Sequence, residues 1–236
     1  MFKELLSALT GNHPLDRAVS ELLEMLDHAQ WMFVRANEVI SNDATVEEVK
    51  DALYRRDQSI NDLERSIRRK IVRHLTINPG PDAPTCLALM SVAKDAERIG
   101  DYCKNVFEVG RFYREGYHVA KYHDRIEHVR QQVTGLFSEV GEAFRDSDEN
   151  RARQAVRTAS ETRQICDEII EELLADRDPI KTHEAVAYSL LARHYKRVAA
   201  HLTNIATAVL GKLEDLDFVS RKIWKKSRRG SDEVTE

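Results

Sequence analysis

The sequence predicts an all-α protein, built as two tandem three-helix units that form one elongated antiparallel helical bundle. Three observations predict it. Apolar residues recur at alternating spacings of three and four through six long stretches, which is the period of a helix with one buried face. The 236-residue chain has only 9 Gly and 5 Pro, and its strongest helix breakers fall between those stretches. Short strings from the first three stretches return in the last three, the mark of an internal repeat.

The first helix spans Leu15 to Ile40, with Leu15, Val19, Leu22, Leu26, Ala29, Phe33, Ala36 and Ile40 on its apolar face. The polar cluster Ser41-Asn42-Asp43 ends it. A second runs from about Thr45 to Leu75, with Thr45 as N-cap and Glu47 and Glu48 in the first turn, where carboxylates suit the free N–H groups. Val46, Val49, Leu53, Ile60, Leu63 and Ile67 carry its rhythm, and Arg56 breaks it. The stretch Asn78-Pro79-Gly80-Pro81-Asp82-Ala83-Pro84 cannot continue a helix and is a turn. The third helix carries Leu89, Val92, Ala96, Ile99, Cys103, Val106 and Gly110 on one seam and ends around Phe112 to Gly116. A fourth follows from about Lys121 to Phe144, and a fifth, after the break at Asp146-Ser147-Asp148-Glu149-Asn150, runs to about Asp176. Asp178-Pro179 reads as an N-cap with proline at the first helical position, so the sixth helix is expected from Pro179 to about Leu210.

Arg98-Ile99-Gly100 and Asn105-Val106 recur 99 residues later as Arg197-Val198-Ala199 and Asn204-Ile205. Asp16-Arg17 recurs as Asp124-Arg125 at an offset of 108, so the second copy has shorter turns. The expected division is a first unit over residues 1–116, a second over 117–214, and a tail over 215–236.

Charged residues make up 32% of the chain, yet 36 basic and 40 acidic side chains leave a net charge of only −4, which argues against a nucleic-acid-binding face. Cys86, Cys103 and Cys166 form no C-x-x-C pair and read as reduced, packed thiols. No run of about 18 apolar residues occurs, and a cytoplasmic location is expected.

Chemistry concentrates on the third helix, in Glu97-Arg98-Ile99-Gly100-Asp101. Glu97 and Asp101 are one turn apart on one face, where they repel unless a positive charge stands between them. Gly100 costs about 1 kcal/mol relative to alanine inside a helix and is tolerable where another backbone or a ligand comes close. On spacing alone, the pattern reads first as two solvated carboxylates served by Lys94, Arg98 and Lys104. On the second helix, Asp57, Asn61 and Glu64 form another polar line at spacings of four and three.

The longer run from Ala93 to Glu108 resembles the signature helix of the PhoU family, D-x-E-R-I-G-D-x-x-x-N-x-x-E, and Asp57, Ile60, Asn61, Leu63 and Glu64 resemble the D-x-x-I-N-x-L-E of its companion helix. That resemblance implies tandem three-helix units and a role in the control of phosphate uptake, through contact with a phosphate transporter component or a sensor kinase and without catalysis. It also implies a metal site. Glu97 and Asp101 would be the principal ligands, with Asp57, Asn61 and Glu108 as weaker ones, holding a divalent or trivalent metal ion. Oxygen ligands suit Mg²⁺, Ca²⁺, Mn²⁺ or iron, so its identity stays open. In the second unit Lys196 stands at the place of Glu97, Ala200 at that of Asp101, Thr162 at that of Asp57 and Cys166 at that of Asn61, which removes the ligands there. A homo-oligomer is expected.

Alternative readings are a metal-free helical adaptor, the soluble companion of a sodium-phosphate cotransporter, and a metal-dependent oxidase or storage bundle. The last needs paired E-x-x-H motifs, and Glu115-Gly116-Tyr117-His118 is a single copy in a glycine-broken stretch. His194 and His201, seven residues apart, read as surface or packing residues. Arg221 to Arg229 carries six basic residues in nine around Ile223 and Trp224, a segment suited to a solubilising tail or to contact with an anionic membrane surface.

Overall fold

The structure is a computed structural model that describes residues 14–77, 80, 82–175 and 178–210. It contains six helices: α1 Pro14–Ile40, α2 Val46–Ile77, α3 Ala83–Phe112, α4 Ala120–Asp146, α5 Glu149–Leu174 and α6 Thr182–Val209. No strand occurs among the described residues, and no described helix is long and apolar enough to cross a membrane. The expected basic tail lies outside the described residues.

Local sequence sets most of the boundaries. At the start of α2 the Thr45 hydroxyl accepts from the Glu48 amide at 3.3 Å while the Glu48 carboxylate accepts from the Thr45 amide at 2.7 Å, a reciprocal capping box. The bond from the Thr45 backbone holds the Glu48 carboxyl below its ordinary pKa. Asp148 caps α5 by accepting from the amides of Asn150 and Arg151 at 2.9 and 3.1 Å. The sixth helix is the exception: it begins at Thr182 with Lys181 as its N-cap, three residues later than Asp178-Pro179 suggests. Asp178 is engaged elsewhere, accepting from the Tyr122 hydroxyl at 2.6 Å and the Lys121 ammonium at 3.0 Å, so its carboxylate pins the turn to the start of α4.

Helices α1, α2 and α3 pack on one another, as do α4, α5 and α6, and the two triplets meet mainly where α3 lies against α6. The core is continuous across both. All seven seam residues predicted for the third helix are buried, and burial extends to both flanks of that seam, at Gly100 and Phe107 on the side of α2 and at Asp95 on the side of α6. A helix enclosed on two sides has little room for large side chains, which accounts for its alanines and glycines. Between the triplets, the Phe33 ring lies 5.8 Å from Phe137 and 5.3 Å from Tyr195, and the buried Tyr195 hydroxyl is hydrogen-bonded to Asn37. The break in rhythm at Arg56 has a use: its guanidinium lies 4.2 Å over the Trp31 ring and 2.7 Å from His28 Nδ1, so it covers α1 in place of an apolar residue.

Candidate functional site

Helices α2 and α3 run antiparallel, which brings Asp57 beside Asp101 and Ile60 beside Gly100. A Cβ added at Gly100 would stand 3.0 Å from Ile60 Cδ1 and 4.0 Å from Asp57 Oδ1. The close approach expected at Gly100 is therefore made by the α2 side chains. It leaves Asp57, Glu97 and Asp101 partly buried on the shared flank, with Glu64 nearly enclosed beside them.

The positive charge between the carboxylates comes from the chain itself. Lys104 Nζ lies 2.8 Å from Asp57 Oδ1 and 2.9 Å from Asp101 Oδ1, bridging the two helices. Burial alone would lower the pKa of this ammonium, but its hydrogen bonds to Asp57 and Asp101 outweigh that and hold it above its ordinary value. Arg98 flanks Glu97 at 3.6 Å and Asp101 at 3.4 Å, and Arg68 meets Glu64 at 2.6 Å. Burial, then the neighbouring Asp101, raises the Glu97 carboxyl above the usual carboxylate range.

Of the five residues expected as metal ligands, Glu97, Asp101 and Asp57 share this flank. Asn61 follows Asp57 by one turn of α2, and Glu108 lies two turns, about 10 Å, along α3 from Asp101. Among the described residues no three His, Cys, Asp or Glu side chains are grouped as a metal ion needs. With an ammonium seated between Asp57 and Asp101, the side chains as arranged do not fit the cation that the resemblance implies.

A second polar contact lies on the opposite face of α3. Asp95 is fully buried against α6, where its Oδ1 accepts from His201 Nδ1 at 2.7 Å and Asn204 Nδ2 at 3.1 Å. The Tyr102 ring stacks on His201 at 5.7 Å and lies 6.1 Å from His194.

The family model described as PhoU domain matches the chain twice, over residues 22–109 and 126–209, one match on each helix triplet. The chain belongs to the PhoU family. A PhoU homolog of Clostridium acetobutylicum described as a phosphate-specific transport system accessory protein is 19% identical over 216 residues, covering 86% of this chain and 95% of that protein. A homolog of the same description from Caulobacter vibrioides is 24% identical over 170 residues, covering 70% of this chain and 74% of its own length. The crystal structure of PhoU from Pseudomonas aeruginosa superposes with a TM-score of 0.74 at 23% identity, covering 85% of this chain and 97% of that one. The phosphate transport system regulatory protein PhoU from Streptococcus pneumoniae gives 0.63 at 20% identity, covering 84% and 96%. At these identities the two structures establish the fold.

The second PhoU unit carries no carboxylate pair at the matching place. Thr162 is buried and donates to the Thr158 carbonyl at 2.7 Å with its hydroxyl 3.0 Å from Gln132 Oε1, Cys166 is fully buried, and Lys196 reaches back to Asp167 on α5. Burial pushes the Cys166 thiol up to about 12, and Cys86 and Cys103 are likewise buried and free. Glu115 does not combine with His118; it meets Lys181 at 3.3 Å and His183 at 3.0 Å.

His201 is a packing residue between α3 and α6, but its partner Asp95 lies 106 positions away and no local spacing shows it. Glu184 was also hidden from the sequence. It is buried and accepts from the amides of His118 and Val119 at 2.6 and 3.1 Å, which anchors the connection between the units to α6.

Proposed function

We propose that this PhoU-family chain is a cytoplasmic accessory of a phosphate transport system, regulating uptake or phosphate signalling by contact with a transporter component or a sensor kinase and not by catalysis. The observation that carries this reading is the pair of PhoU domain matches, which cover both helix triplets, together with relatives that span most of the chain and are described as phosphate-specific transport system accessory proteins. The architecture suits such a role. Two similar units joined through α3 and α6 share one continuous core, and the buried polar groups described above are spent on packing the helices together. Capture of tagged chain from solubilised membranes of cells grown at low and at high phosphate tests the proposal. Enrichment of a phosphate transporter subunit or a sensor kinase that changes with phosphate supports it, and recovery of a sodium-phosphate cotransporter would redirect it to that system. Recovery of neither, with normal phosphate control in cells lacking the chain, would overturn it.

A further inference from the structure

We propose that Lys104 is the resident cation of the first unit's acidic site, so that this unit is assembled by its own ammonium and a metal ion competes with Lys104 for the same carboxylates. Three observations carry the inference, which rests on side-chain geometry and is independent of the transport reading. The ammonium is within 3 Å of one carboxylate oxygen on each helix, at 2.8 Å from Asp57 and 2.9 Å from Asp101, two of the oxygens that would otherwise be open to a cation. The remaining carboxylates also have cations of the chain beside them: Arg98 flanks Glu97 and Asp101, and Arg68 meets Glu64, so the cluster sets three cations against four carboxylates and leaves one negative charge over. In the second unit a lysine at the place of Glu97, Lys196 of α6, reaches Asp167 of α5, and Ala200 stands at the place of Asp101. Each unit thus ties its third helix to its second through a lysine.

A tethered ammonium has an advantage over a free ion at such a place. Its effective concentration is set by the side chain, so the pairing does not depend on metal supply. Its charge is smaller, however, and of its three N–H donors two meet the Asp57 and Asp101 oxygens, while Glu97 stays outside the bridge.

The test compares Mn²⁺ binding by wild type, Lys104→Met and Lys104→Met/Asp101→Asn, with chelator-treated full-length protein in calorimetric titrations and elemental analysis after dialysis. Methionine keeps the length of the stem and removes the charge. Wild type is expected to retain well under one ion per chain and to melt at the same temperature with or without chelator or added Mn²⁺. Lys104→Met is expected to bind Mn²⁺ about tenfold more tightly than wild type or better, and the Asp101→Asn change to abolish that gain. Stoichiometric metal in wild type, a wild-type melting temperature that rises with Mn²⁺, or equal affinity in a folded Lys104→Met protein would each overturn the proposal. Should Lys104→Met fail to fold, the wild-type melts with and without Mn²⁺ decide it alone.

Discussion

Glu97 shows what the acidic flank costs the fold. Burial and the adjacent Asp101 raise its carboxyl pKa in the folded chain, whereas the unfolded chain ionises it near the ordinary value of about 4.3. A carboxyl raised on folding adds stability that is fully present below the unfolded value and is lost as the pH rises through the folded one. At neutral pH the charged Glu97 therefore works against folding, and Glu97→Gln is expected to melt at a higher temperature than wild type at pH 7 and at nearly the same temperature near pH 4. Thermal unfolding across that range checks it, and a Gln variant less stable than wild type at pH 7 would show that the negative charge is needed for assembly. Half of this was legible in the sequence. The one-turn spacing of Glu97 and Asp101 announces a repulsion and a missing positive charge, but which cation answers it depends on where α2 places Asp57, and only the fold shows that Lys104 reaches both.

At the scale of the element, the contrast between two glycines of α3 tests how closely the helices pack. An added Cβ at Gly100 meets the far end of the Ile60 side chain at 3.0 Å, an atom free to swing aside. At Gly110 it meets Ile40 Cγ1 at 2.9 Å and the Ile40 backbone nitrogen at 3.2 Å, and backbone at the end of α1 has no such freedom. Gly100→Ala is therefore expected near neutral, since the helix preference of alanine, about 1 kcal/mol, offsets the local repacking. Gly110→Ala is expected to cost about 1–3 kcal/mol in denaturant unfolding, and equal effects at the two positions would contradict this packing. The sequence singled out Gly100 for a close approach and treated Gly110 as an ordinary seam position, because spacing records which face a residue is on and not how near the facing backbone comes. Boundaries follow the same logic. Thr45 and Glu48 cap each other within four residues and so are readable, while Asp178 is drawn off by Tyr122, 56 positions away, and the helix it was expected to start begins later.

At the scale of the whole molecule the two units are held by what lies between α3 and α6, and there the sequence was least informative. Asp95 stands two residues before Glu97, about 200° around the helix, so it faces α6 when Glu97 faces α2. Its partners His201 and Asn204 come from the other unit, beyond the reach of any periodicity. The energetics of this contact are unequal. Asp95 is fully buried and its Oδ2 has no hydrogen-bond donor among the described residues, so the carboxylate itself carries a desolvation cost. Removing His201 leaves Asn204 as the one remaining donor to that carboxylate among the described residues, and His201→Ala is expected to destabilise the protein by about 1–3 kcal/mol. Replacing the carboxylate by an apolar side chain of similar size removes the cost together with the bond, so Asp95→Leu is expected to lose less than His201→Ala. In the doubly substituted protein, adding Asp95→Leu to His201→Ala should recover part of the loss. Denaturant unfolding of the two single variants and the double at pH 7 measures this coupling. If the two single losses simply add, Asp95 and His201 are not coupled, and the units are held by their other contacts, among them Phe33, Phe137 and Tyr195 and the hydrogen bond of Tyr195 to Asn37.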